Sequence, residues 1–356
     1  MQNALKDIQS LQQHWPMPTK PLPIVIIGCG GIVNDAHLPA YRQAGFDVQG
    51  VYDIDHEKAS AIAAQWGIKD VYQDIQTAAQ QQAVFDLALP PSAVVNVLNE
   101  LPNGAVVLIQ KPMGQDYAEA QKIVATCQRK NLTAAINHQL RFAPYMLAVR
   151  DAMQRNWLGT MSDVEMHLNV ADPWHLFPFL ETMARVEIQV HSIHYLDLIR
   201  SLLGEPQGVY ALTTPDERYP KLASTRSSII LNYGTGPRVC LSLNHNYAHG
   251  EKGQSAMFKF EGTQGVVWVQ LGVMLDYPKG RPDTVDIKLH GQEWSRLTLQ
   301  GSWFPEAFAG PMSNLQRFAA GEDQKLVTSV ADVLHTMALV EAAYQSSAQG
   351  GTPIRS

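Results

Sequence analysis

Cysteine is scarce: Cys29, Cys127 and Cys240 are odd in number and widely spaced. They outline no disulfide framework and no zinc pattern, so a reducing compartment is the default. Positive charge is not concentrated anywhere. Asp and Glu total 33 against 27 Lys and Arg, a formal net charge of -6, with no basic run. Nucleic-acid binding needs a dense positive surface to displace counterions, which excludes nucleic acid as an expected partner. No apolar run is long enough to span a bilayer, so no membrane partner is expected. The stretch Met1–His14 is polar and Gln-rich, without the apolar centre of a signal peptide, and the expected address is cytoplasmic. What remains is ordinary globular composition, 46% apolar and 17% charged, over 356 residues, a length that suggests two domains.

The first third alternates. Apolar runs after Leu22, at Val48–Tyr52, Val84–Leu89, Ala105–Ile109 and Leu132–Ile136 have the continuous character of buried parallel strands. Helical segments fall between them, at Lys58–Trp66 closed by Gly67 and at Asp116–Lys130. This spacing predicts right-handed crossovers and a doubly wound parallel sheet. Gly28-Cys29-Gly30-Gly31 follows the first strand directly. Glycines at 28 and 30 allow a tight turn and close approach of a pyrophosphate, which the N–H groups and dipole of the next helix would hold. The third glycine of the usual fingerprint is replaced by Val33. Asp53, at the end of the second strand, suits the two ribose hydroxyls of NAD and would repel a 2′-phosphate, so NAD is expected over NADP.

After Pro144 the pattern changes. A helix is predicted over Tyr145–Trp157, an alternating strand over Met161–Val170 and a second helix over Glu187–Leu203, closed by Gly204. Strand-like runs then follow one another at Gly208–Thr213, Ser227–Tyr233, Arg238–Asn244, Met257–Glu261, Val266–Leu271, Val285–Leu289 and Ser295–Leu299. Strands without crossover helices imply a mostly antiparallel sheet. The expected fold is therefore α/β joined to α+β: an N-terminal parallel-sheet domain and a C-terminal domain with a large, open, mostly antiparallel sheet. An open sheet face is commonly covered by a second subunit, so a homodimer or homotetramer through that sheet is expected. A last helix is predicted over Val330–Ser347.

The order of several short motifs resembles the Gfo/Idh/MocA family of oxidoreductases along nearly the whole chain. They are Gly28-Cys29-Gly30-Gly31-Ile32, His37-Leu38-Pro39, Tyr52-Asp53-Ile54-Asp55, Pro90-Pro91, Lys111-Pro112, Arg141-Phe142-Ala143-Pro144 and His194-Tyr195-Leu196-Asp197-Leu198. The resemblance implies a Rossmann domain over 21–140 after an N-terminal extension, 1–20. It further implies a substrate and oligomerisation domain over 141–330 and a C-terminal helix and tail, 331–356, packing back on the Rossmann domain. It implies NAD as cofactor, touched by Gly28, Gly30, Gly31, Ile32, Asp53, Pro90 and Lys111, and a sugar, inositol or sugar derivative as substrate. Lysine of the Lys-Pro motif and histidine of the later helix, here Lys111 and His194, carry the chemistry. Two acids usual in the family are absent: Gln110 precedes the lysine, and Val190 stands four residues before His194. The glycine pair before the helix is replaced by Thr182–Glu187.

Lys111 follows a buried strand, where desolvation favours a neutral amine able to take a hydroxyl proton. His191 and His194 lie three apart on one helix face with Glu187 a turn earlier, so His191 is a further catalytic or substrate-binding candidate. Arg141 and Arg185 could bind an anionic substrate group, or pair with acids, Glu187 being the obvious partner of Arg185. Trp174 and Trp303 could stack on a sugar ring or fill a core. No metal is expected: His167, His175, His245 and His249 are scattered without ligand spacing. Two other functions share the same parts, an NAD-dependent glycosidase that oxidises a ring hydroxyl transiently and a non-catalytic dinucleotide or sugar sensor.

Overall fold

A computed structural model describes residues 7–277 and 279–354. Two compact units emerge. One comprises residues 14–143 and 303–338; the other comprises the described residues up to Gln13, Pro144–Ser302 and those from Leu339 onward.

The first unit holds a six-stranded parallel sheet of β1 (Ile24–Ile27), β2 (Val48–Tyr52), β3 (Asp70–Val71), β4 (Val84–Leu87), β5 (Val106–Gln110) and β6 (Thr133–Asn137), in the order β3-β2-β1-β4-β5-β6. β1 and β4 are buried at every residue, which is why they read as unbroken apolar runs. Helices α1 (Leu38–Ala44), α2 (His56–Trp66), α3 (Ile75–Ala79), α4 (Pro91–Glu100) and α5 (Tyr117–Arg129) connect the strands. Asp55, Asp74 and Asp116 cap α2, α3 and α5 by accepting from the backbone N–H of Lys58, Thr77 and Glu119. Periodicity missed β3, α3 and α4. β3 has two residues, too few to carry a period, and Pro91 starts α4 rather than merely ending β4, the first-turn position proline favours.

The second unit is built on an eight-stranded sheet. Its strands are β7 (Met161–Asn169), β8 (Gly208–Thr214), β9 (Arg226–Asn232), β10 (Arg238–Asn244), β11 (Ser255–Gly262), β12 (Gly265–Gln270), β13 (Thr284–Leu289) and β14 (Ser295–Arg296). Their order is β14-β13-β12-β11-β7-β10-β9-β8, with every pairing antiparallel except β7 with β10. Strict alternation buries Val164, Met166, Leu168, Val239, Leu241, Leu243, Phe258 and Phe260 on one face. Helices α6 (Pro144–Gln154) and α7 (Ile193–Leu203) belong to this unit, and Tyr195 of α7 meets Phe258 edge to face at 5.7 Å. On the opposite face Arg238 and Lys259 pair with Asp163 and Glu165, while Tyr210, Leu212, Ile230 and Trp268 are exposed.

The expected strand at Ser295–Leu299 is cut to two residues. Beyond it the Gln-rich start supplies the pairing: the Gln9 side chain donates to Arg296 O and accepts from Thr298 N–H, and Gln13 does the same with Thr298 O and Gln300 N–H. Side-chain amides thus blunt an open sheet edge.

Helix α8 (Ala309–Ala319), also missed by the pattern, returns to the first unit. Its Met312 and Leu315 join Ile24, Ile26, Leu108 and Ala135 in one buried cluster. Gly310 is required there, because a Cβ would lie 2.4 Å from that of Phe142. The final helix α9 (Val330–Gln349) begins in the first unit and ends in the second.

Candidate active site

The glycine turn between β1 and α1 is shaped for close backbone approach. Gly28 has φ +98°, and a Cβ there would fall 2.4 Å from Ala88 O, so no other residue fits. The space a Cβ would take at Gly30 is open among the described residues, and at Gly31 it meets only Asp35 Oδ2 at 3.9 Å. The chain turns helical at once, through a π-helical segment Val33–His37 into α1, with its free N–H groups at the turn. Asp53 follows β2 and accepts from Cys29 N–H at 2.7 Å and Asp55 N–H at 2.9 Å, which holds its carboxylate beside the turn. Glycines with open flanks, a helix start and an acid at the next strand end fit a dinucleotide. Ile32 is half-buried against the core, and Pro90 is exposed at the start of α4.

Lys111 follows β5 directly, at the carboxyl edge of the parallel sheet, where this architecture presents its ligands. The side chain is half-buried, and loss of solvent pushes its pKa down to about 8. Gln110, in place of an acid, accepts from Asn137 Nδ2 at 2.9 Å. The same amide lies 3.4 Å from His37 Nε2, and His37 Nδ1 is 2.6 Å from Asp86 Oδ2, which also accepts from Tyr41. A polar chain, fully buried at Asp86, His37 and Asn137, therefore runs to the half-buried residue before the lysine.

In the second unit the predicted helix over Glu187–Leu203 is two structures. Glu187–Ser192 is π-helical and α7 begins at Ile193, a local widening often found at functional sites. His194 is buried in the first turn of α7. His191 lies beside His245, ring centroids 4.5 Å apart and stacked, and edge-on to Trp174 at 5.6 Å. His245 follows β10, and Asp172 follows β7. Because those two strands are parallel neighbours, both residues leave the same end of the sheet.

His245 is gripped from both sides, with Nδ1 2.6 Å from Asp172 Oδ2 and Nε2 3.2 Å from Glu187 Oε1. Burial alone would discharge the ring, but the two carboxylates raise its pKa to about 10. Burial likewise opposes ionisation of Asp172 and Glu187, yet His245 brings both below the ordinary carboxylate range. Glu187 also accepts from Ser192 Oγ at 2.5 Å and, through a very short contact, from Ser227 Oγ. Asp172 Oδ2 is 3.9 Å from His191 Nε2.

Sequence spacing missed this cluster. His245 reads as one scattered histidine and nothing in the sequence singles out Asp172; only strand pairing brings them together. The expected partnership of Arg185 with Glu187 is corrected: Arg185 pairs with Glu341 at 2.5 and 3.1 Å and stacks on Tyr344, all within this unit. The α9 segment that supplies Glu341 lies too far along the chain for spacing to reveal it. Arg141 bonds Val327 O at 2.6 Å and Asp332 at 2.8 Å within the first unit. Trp174 is buried with its Nε1 donating to Asn246 at 2.8 Å, and Trp303 is buried. Asp172, His191 and His245 bring one donor atom each within 4.8 Å of one another, a grouping absent from the histidine spacings alone.

A glycine turn on a parallel sheet, a desolvated lysine at its carboxyl edge and a large antiparallel second sheet define a two-domain dinucleotide-dependent oxidoreductase. The chain belongs to the Gfo/Idh/MocA oxidoreductase family: residues 22–138 match its NAD-binding Rossmann fold and residues 188–355 its C-terminal alpha/beta domain. D-apiose dehydrogenase of Paraburkholderia graminis is 26% identical over 348 residues, covering 92% of this chain and 88% of that protein. Two solved structures share the fold, each with a TM-score of 0.77 over 93% of this chain. One is an oxidoreductase from Agrobacterium radiobacter in complex with NAD+, L-tartaric acid and magnesium, 22% identical over 98% of that chain. The other is an aldose–aldose oxidoreductase from Caulobacter crescentus complexed with glycerol, 17% identical over 99% of that chain. No described helix is long and apolar enough to cross a membrane.

Proposed function

We propose that this protein is an NAD-dependent dehydrogenase that oxidises, or in reverse forms, a hydroxyl-bearing carbon of a sugar, inositol or related compound. The observation that carries this reading is Lys111, a half-buried amine with its pKa brought down to about 8, at the sheet edge that also bears the glycine turn. NAD, when bound, supplies the hydride chemistry. Lys111 takes the hydroxyl proton in its neutral form, and the polar chain Asp86–His37–Asn137–Gln110 fixes the backbone from which it projects. His194 and His191 are the hydrogen-bonding groups of the second unit toward the substrate, with Trp174 as the apolar neighbour of His191. Gly28, Gly30, Gly31, Ile32, Asp53 and Pro90 hold the dinucleotide, with Asp53 selecting NAD over NADP.

The test is NAD reduction over a panel of neutral and acidic aldoses and cyclic polyols, in the native protein and in Lys111→Ala. Turnover should fall by roughly 10²–10⁴ in the variant while NAD still binds. Net hydrolysis of a glycoside without NADH release, or equal turnover in the variant, overturns the reading. The exposed Tyr210, Leu212, Ile230 and Trp268 form the face through which we expect a homodimer or homotetramer, checked by light scattering.

A further inference from the structure

The Asp172–His245–Glu187 cluster has a floor and an open edge. His245 and Glu187 are wholly buried, whereas Asp172 and His191 keep 9% and 18% of their side chains in solvent. Both nitrogens of His245 face carboxylate oxygens. Ionised carboxylates only accept, so each ring nitrogen carries hydrogen and the ring is an imidazolium. Two carboxylates around one imidazolium leave one net negative charge next to His191. With His191 neutral the cluster is anionic; with His191 protonated it is neutral overall. In neither state do these four side chains carry a net positive charge for an anion to meet.

Arg185, the arginine two residues before Glu187, is committed to Glu341 of the same unit. A metal ion would reverse the sign, but the geometry resists one. Asp172 Oδ2 and His245 Nδ1 are 2.6 Å apart, hydrogen-bond distance, whereas two ligands about 2.0–2.1 Å from a tetrahedral zinc sit about 3.3 Å from each other. The open edge offers instead a carboxylate acceptor, an imidazole and, beside them, the Trp174 ring. That combination matches vicinal hydroxyls on a ring with an apolar face.

We propose that Asp172 and His191 form a subsite for the hydroxyls of an uncharged polyol or sugar, and that the buried His245–Glu187 pair fixes Asp172 there as a selector against carboxylated and phosphorylated substrates. This rests on the dehydrogenase reading above. Asp172 is a specificity residue; His245 and Glu187 act through it as positioning residues. A hydroxyl donating to Asp172 gains a charge-assisted hydrogen bond, and a substrate carboxylate at the same place meets like charge across a poorly solvated gap.

The experiment compares kcat/KM for NAD reduction with matched pairs, a neutral aldose against its uronic acid and its 6-phosphate, in native protein and Asp172→Asn. The neutral partner should be favoured at least tenfold. Asp172→Asn should shrink that preference several-fold by weakening use of the neutral substrate more than the acidic one. Preference for the acidic partner, or a ratio unmoved in a variant with native circular dichroism, overturns the proposal. Long-range ¹H–¹⁵N spectra of the native protein test the clamp without any substrate or variant. His245 should carry protons on both ring nitrogens at pH 8, and a singly protonated ring overturns the inference. So does one equivalent of zinc bound by native protein and lost in Asp172→Asn. Should no compound of either class reduce NAD, the dehydrogenase reading fails, while the spectra still decide the clamp.

Discussion

Lys111 and His245 are both basic side chains withdrawn from water, one in each unit, and burial pushes both toward the neutral form. Yet their pKa values move in opposite directions from the ordinary ones. Desolvation is the cause that brings Lys111 down to about 8. His245, more deeply buried, goes the other way, because Asp172 and Glu187 contact both of its nitrogens and lift it to about 10. Burial thus sets how strongly a partner is felt, and the partner sets the charge. The first arrangement suits a group that must exchange a proton near physiological pH. The second suits one that must keep its proton and hold something else in place.

The largest effect should come from unbalancing the clamp. Glu187→Ala leaves a buried imidazolium with one carboxylate, takes the acceptor from Ser192 while Ser227 keeps Thr213 Oγ1, and should cost roughly 3–5 kcal/mol in urea unfolding. A loss under 1 kcal/mol would mean that His245 is not charged.

Next in size is the dependence of stability on pH. His245 sits above its ordinary 6.5, so its contribution is full below about 6.5 and is lost as pH rises through about 10. Asp172 and Glu187 sit below their ordinary 3.8 and 4.5, so theirs is full above those values and lost on acidification. Thermal melts should show an alkaline loss near pH 10 that disappears in His245→Asn.

A smaller change would make Lys111 behave like His245. Oxidation needs the neutral amine, so NAD reduction should rise with pH through about 8 in native protein. Gln110→Glu sets a carboxylate next to the lysine and should move that midpoint up by about one unit. A midpoint that stays put would separate residue 110 from the lysine's charge.

Arg185→Met should matter least. The Arg185–Glu341 pair is 31% and 24% exposed, and its loss should cost about 1 kcal/mol or less. The preference between neutral and acidic sugars should not change.

Most strands are legible in the sequence. β2 and β10 match their apolar runs residue for residue, and the switch from crossover helices to consecutive strands gave the two sheet types. β3 escaped because two residues carry no period, whereas α8 does carry an apolar stripe at helical spacing, masked by Gly310-Pro311 at its start. At the site, Lys111 and the glycine turn could be read because each sits next to its strand in sequence. Local spacing offers Arg185 as the partner of Glu187, whereas beside the neighbouring Ser192 its partners are Ser227 and His245, from β9 and the end of β10.

Sequence alone therefore determined the parallel sheet, the glycine turn, the acid at residue 53 and the lysine, since each depends on local order along one βα unit. Tertiary structure decided the charge of the second unit's cluster. Asp172, Glu187 and His245 are separated by up to 73 residues, and only parallel pairing of β7 with β10 and the π-helical widening before α7 bring them within hydrogen-bond reach. No residue of that cluster carries its own state; the fold assigns it by choosing the neighbours.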